Sequence, residues 1–132
     1  MFESFRGAAG NRFQEIHFEQ MQIGRSGNDV LRAALVQAKE EGIKPSLYTH
    51  PLGYHGHAAG PVIGLWDRQE GVPGRGDYEV FDDTVYSIEF NVRAVVPEWG
   101  GQEVIFALEE DAALSEGKMW WLDGRQEKFH LI

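Results

Sequence analysis

His50, His55 and His57 fall within eight residues of one another, the densest grouping of proton-handling and metal-handling side chains in the chain. Imidazole exchanges protons near neutral pH and ligates divalent ions. If the segment is extended, His55 and His57 share a face. One reading makes these three ordinary hydrogen-bonded loop histidines. The other makes them part of a metal site, which for hard divalent ions also requires carboxylate oxygens. Two places can supply those oxygens: Glu89, flanked by Tyr86, Ile88, Phe90 and Val92, and the acidic run Glu109, Glu110 and Asp111.

Positioning these groups falls to a hairpin. Thr84 to Val96 alternates strictly, with Tyr86, Ile88, Phe90 and Val92 on one side and Ser87, Glu89, Asn91 and Arg93 on the other. PEWGGQ then reads as a turn, and 102–109 as the returning strand. A turn centred between Trp99 and Gly100 makes paired numbers sum to about 199. Glu89 is then expected opposite Glu110, or opposite Glu109 if one residue bulges. Carboxylates facing across a strand pair repel unless a cation or a proton lies between them. The competing expectation is that the acidic run simply faces solvent.

Upstream, residues 12–22 read as a short helix ended by Gly24. Residues 28–41 read as a second helix, with Ser26 as N-cap, Asp29 in the first turn and Gly42 as the stop. Its apolar face is Val30, Leu31, Ala34, Leu35 and Ala38. Residues 47–60 look extended, 61–66 (PVIGLW) reads as a buried strand, and 68–83 as a long Gly-Pro-Asp surface loop. After 117, two short apolar segments flank an Asp-Gly turn. The fold class is α+β, two helices followed by an antiparallel sheet.

Composition bounds the function. The 132 residues suit a single unit spanning 1–132. A formal charge of −9 repels phosphate, so neither nucleic acid nor an anionic membrane is an expected partner. No apolar run approaches the roughly 18 residues of a spanning helix, and MFESFRGAAGNRF has no apolar stretch for a signal peptide. With no cysteine there is no disulfide framework and no thiolate zinc site, leaving His, Asp and Glu as metal ligands.

GHAAG at 56–60, TVYSIEFNV at 84–92 and LEEDAALSEG at 108–117 together resemble the pita-bread metallopeptidases, the family of aminopeptidase P, prolidase, methionine aminopeptidase and creatinase. The resemblance runs over roughly 12–117 and includes the Gly24 loop leading into an amphipathic helix. It implies metal-dependent hydrolysis of peptide N-termini, with Xaa-Pro peptides among the substrates. It also implies a pair of divalent ions (manganese, cobalt or zinc) held by two Asp, one His and two Glu. In that comparison His57 matches the histidine ligand, Glu89 the first glutamate and Glu109 the second. Glu103 is a rival for the second role, without the acid that follows in the family. His50 resembles the substrate-side catalytic histidine, and His55 and Trp66 are expected on the substrate-binding side.

The sequence also departs from the family. His50 and His57 are seven residues apart where four are usual, Trp66-Asp67 stands where a second histidine is expected, and Phe90-Asn91 replaces Pro-Gly. The family's two Asp ligands lie on an upstream hairpin with no counterpart here, so the chain resembles the C-terminal half alone, read as a fragment of a longer enzyme and expected to be inactive by itself. A half of this kind is expected to self-associate as a homo-oligomer through exposed sheet edge and apolar surface. Two other functions compete: a cupin-like mononuclear site on His55-Gly56-His57, disfavoured because no glutamate follows, and a non-catalytic binding or scaffold domain that kept the fold.

Overall fold

A computed structural model describes residues 2–127. The first helix, α1 (Phe2–Gln20), starts ten residues before the expected position and ends at the expected turn. Gly10 lies inside it, and a Cβ there would fall 2.6 Å from Leu108 Cδ1. Without a side chain at this position the helix can lie close to the sheet. The second helix, α2 (Gly27–Glu40), has the expected caps: Ser26 Oγ accepts from the Asp29 amide at 3.1 Å, and Gly42 follows with φ +73°. A two-pronged ion pair from Arg12 to Glu41, at 2.7 and 2.8 Å, ties α1 to the end of α2.

The strands β1 (Lys44–Pro51), β2 (Thr84–Val96), β3 (Gln102–Ser115) and β4 (Lys118–Trp121) form one antiparallel sheet in the order β1-β2-β3-β4. Both helices cover the face that carries Tyr86, Ile88, Phe90 and Val92, all fully buried with Phe13, Ile16, Leu31 and Ala34. Phe13 meets Phe90 edge-on at 5.1 Å, and Phe18 stacks on Trp121 at 3.9 Å. The opposite face carries Glu89, Glu109 and Ile105. The α+β class is as the sequence reads, and β3 runs six residues past its expected end.

Two expectations change. Residues 61–66 form no regular strand: Ile63 makes a single bridge to Thr49, and Gly64, with φ +75°, is pressed against the Leu47 carbonyl, where a Cβ has no room. The place of a strand beside Leu47 is taken by the Gln69 amide, which accepts from Leu47 N at 2.8 Å and donates to Leu47 O at 2.9 Å and Leu65 O at 2.6 Å. The 68–83 stretch is a fastened loop with Val72 and Val80 buried. Asn28 exchanges hydrogen bonds with the Val72 backbone and donates to Asp77 at 2.8 Å. The second apolar segment expected after the Asp-Gly turn, at 128–132, lies outside the described residues.

Candidate functional site

The site lies on the sheet face away from the helices and is set by hairpin register. The turn is Pro97–Trp99 in a 3-10 bend followed by Gly100 and Gly101, both with left-handed φ. This five-residue loop centres the hairpin on Trp99, one half-step from the expected centre. Glu89 therefore pairs with Glu109 in an unbroken register, with no bulge. Glu110 pairs with Ile88 on the helix side, where it accepts the Gln126 amide at 2.8 Å. Glu103 sits opposite Val95, roughly 20 Å along the strand from Glu89, with Arg93 at 4.0 Å.

Alternation in β1 brings Ser46, Tyr48 and His50 to the same face. Tyr48 is opposite Glu89 and His50 opposite Ser87. A row Tyr48–Glu89–Glu109 thus crosses the sheet beside a row His50–Ser87–Asp111. Ser87 Oγ donates to Glu109 Oε1 at 3.2 Å.

His50 is the best-defined group of the site. It is 4% exposed, and its Nδ1 lies 2.9 Å from the Pro51 carbonyl. A carbonyl only accepts, so Nδ1 carries a proton. Its Nε2 lies 2.7 Å from Glu89 Oε1. A neutral imidazole with its proton on Nδ1 would aim a lone pair at a carboxylate oxygen. That contact requires a positive particle, either a proton shared by the pair or a cation.

His57 reaches the site from a loop rather than from the sheet. It is an exposed residue of the 52–60 loop, its ring stacked on His50 at 3.8 Å and 14° from parallel, with Nε2 3.1 Å from the Tyr48 hydroxyl. Trp66 stands edge-on to Tyr48 at 5.7 Å and is half exposed. His55 contacts Tyr54 edge-on, and both are exposed on the loop. The structure thus brings His50, His57, Glu89, Glu109 and Trp66 into one neighbourhood, with His55 and Glu103 outside it. Tyr48 and Ser87 complete the neighbourhood and were missed in the sequence; the alternation of side chains along 84–96 and along an extended 44–51 is the signal that could have found them.

As a metal site the donor chemistry is suitable but the shell is not closed. A histidine whose Nδ1 donates to a backbone carbonyl and whose Nε2 faces a carboxylate has the arrangement of a ligating imidazole. Among the described residues, however, no three His, Asp or Glu side chains converge as a metal-holding group.

No family model and no curated protein matches the chain. Among solved structures it is similar to the X-Pro aminopeptidase from Thermotoga maritima, with a TM-score of 0.64 and 19% identity. The match covers 95% of this chain and 32% of that one, so the chain spans about a third of the length of the aminopeptidase. At that identity the likeness is one of fold, and the two helices and four-stranded antiparallel sheet described above have the pita-bread architecture of that neighbour.

Proposed function

We propose that this chain supplies one wall of the active site of a metal-dependent peptidase that acts on peptide N-termini, Xaa-Pro peptides among them. The observation that carries this reading is the His50–Glu89 contact, an imidazole Nε2 fixed 2.7 Å from a carboxylate oxygen, with a second carboxylate, Glu109, in the next strand. In this reading His50, Glu89 and Glu109 are donors to one or both of two divalent ions, and further oxygen donors come from outside the described residues. This moves His50 from the catalytic role that the resemblance implied and gives His57 the substrate-facing one. Bound there, divalent ions would polarise a scissile carbonyl and lower the pKa of water. His57, held by Tyr48 and open to solvent beside Trp66, is placed to donate a hydrogen bond to a substrate carbonyl.

The test is metal stoichiometry on the stripped chain, with manganese, cobalt and zinc titrated separately. Weak binding of a divalent ion is expected, abolished in Glu89→Gln and His50→Ala and retained in His57→Ala. Equal binding by all variants, or none by any, would overturn the reading. The absence of a closed three-ligand group among the described residues favours a second reading, a non-catalytic peptide-binding domain. Quenching of Trp66 fluorescence by peptide in chelator, with no metal bound at all, would support it.

A further inference from the structure

Three buried polar atoms on α1 have no hydrogen-bond partner among the described residues: Oε1 and Nε2 of Gln14 and Nδ1 of His17. Both residues are fully buried, and neither bonds the other. Residues three apart on a helix are neighbours on its surface, so the three atoms lie on one stretch of the enclosed face. Contacts on both sides press that stretch onto the sheet. Before it, Gly10 lies against Leu108 of β3, and Phe13 meets Phe90 of β2. At its end, His17 Nε2 lies 3.0 Å from Oγ1 of Thr49 on β1, a fully buried residue paired with Ile88. An amide and an imidazole nitrogen left unbonded in such a core are costly, and native interiors satisfy nearly all such groups with protein or with water.

We propose that the core binds a water molecule between α1 and the sheet, bridging the Gln14 amide and His17 Nδ1. The chemistry of the three atoms selects water. If the Thr49 hydroxyl donates to His17 Nε2, then Nδ1 carries the proton and needs an acceptor; if Nε2 donates to Thr49, then Nδ1 is a lone pair and needs a donor. Water serves either case, and the Gln14 amide offers the matching acceptor or donor on its other side. Buried waters typically make about three hydrogen bonds, the number these atoms supply. A cation does not fit, because among the described residues no carboxylate is fully buried to compensate it. The site is distinct from the one on the opposite sheet face: Thr49 points to the helices, whereas Tyr48 and His50 on either side of it point away. The inference is independent of the function proposed above.

NMR of the wild-type chain tests the site without any substitution. In paired NOE and ROE spectra, which separate a bound water from proton exchange, the Gln14 side-chain amide protons should show cross-peaks to water with the sign of a molecule that tumbles with the protein. Gln14 amide protons without such cross-peaks, or bonded directly to another part of the chain, would overturn the proposal. Oxygen-17 relaxation dispersion supplies the count. Gln14→Leu, close in volume but without polar atoms, should lose the amplitude of one long-lived water, and Gln22→Leu, at an exposed position just after the same helix, should lose none. Equal amplitudes in the wild type and Gln14→Leu would overturn the proposal as well. If Gln14→Leu does not fold, the wild-type spectra decide alone.

Discussion

The ring of His57 lies on the ring of His50, centroids 3.8 Å apart and planes 14° from parallel, so a loop histidine covers one face of a strand histidine. Glu89 touches His50 and the Tyr48 hydroxyl touches His57. His50 is thus tied to the carboxylate side of the stack, while His57 is exposed on the loop.

Replacing Glu89 by Gln should make the metal-free chain less stable. With no cation present, the His50–Glu89 contact at 2.7 Å is a hydrogen bond to a carboxylate, the stronger kind. An amide keeps a neutral hydrogen bond to the imidazole and removes the repulsion from Glu109 across the strand pair, which offsets part of the loss. A net loss of about 1 kcal/mol is expected in urea denaturation with chelator present. A gain in stability would mean that the repulsion between Glu89 and Glu109 outweighs the bond to His50.

His17 sets a separate dependence on pH. It is fully buried, its Nε2 lies 3.0 Å from Thr49 Oγ1, and its Nδ1 has no partner among the described residues. Burial alone pulls its pKa from 6.5 down to about 3. The unfolded chain takes up a proton below 6.5 and the folded chain does not until about 3. Stability is therefore complete above 6.5 and falls as the pH drops towards 3, by about 2 kcal/mol at pH 5. His17→Gln, which can still bond Thr49, should flatten the curve between pH 5 and 6.5. The carboxylates paired with arginine, Glu15 and Glu41, are held below their ordinary value of 4.5 and titrate in a lower window. An unchanged slope in the variant would assign the effect to another group.

The parts of this molecule legible in its sequence are those written in local periodicity. The strand 84–96 and the helix capped by Ser26 carry their own patterns, and the alternation of the strand places Glu89 on its polar side. Register was not legible to a single residue, because it depends on whether Gly100 and Gly101 both adopt left-handed φ. The division of labour between His50 and His57 was hidden for a different reason. It depends on β1 ending at Pro51, whose carbonyl takes the His50 Nδ1 proton, while the chain turns at Gly53–Gly56 and folds His57 back over the strand. A side chain standing in for a strand, as Gln69 does, leaves no periodic signal at all.

That substitution for a strand is itself open to test. Gln69→Ala strands the Leu47 N–H and carbonyl, both partly or fully enclosed, and frees the Leu65 carbonyl. A loss of about 2 kcal/mol is expected in chemical denaturation. Hydrogen exchange should show the Leu47 amide exposed first. Protection of that amide in the variant would mean that water or a shifted backbone replaces the side chain without cost.

Asn28 gives a local counterpart. Its side chain bonds Val72 N at 2.8 Å, Val72 O at 3.2 Å and Asp77 Oδ1 at 2.8 Å, and Gly76 lies so close that no Cβ fits between them. One residue on the first turn of α2 therefore fixes the loop that closes over Val72 and Val80 and approaches β1 through Pro61–Gly64. Asn28→Ala removes these bonds without touching the core, so the loop should open more readily than the rest of the molecule. Arg75, exposed in that loop, is a trypsin site. Cleavage after Arg75 should accelerate roughly tenfold or more, corresponding to about 1.4 kcal/mol of local stability, while the global unfolding midpoint moves less. If cleavage and global unfolding instead change in proportion, the loop is not a separate unit, and the bonds of Asn28 stabilise the fold as a whole.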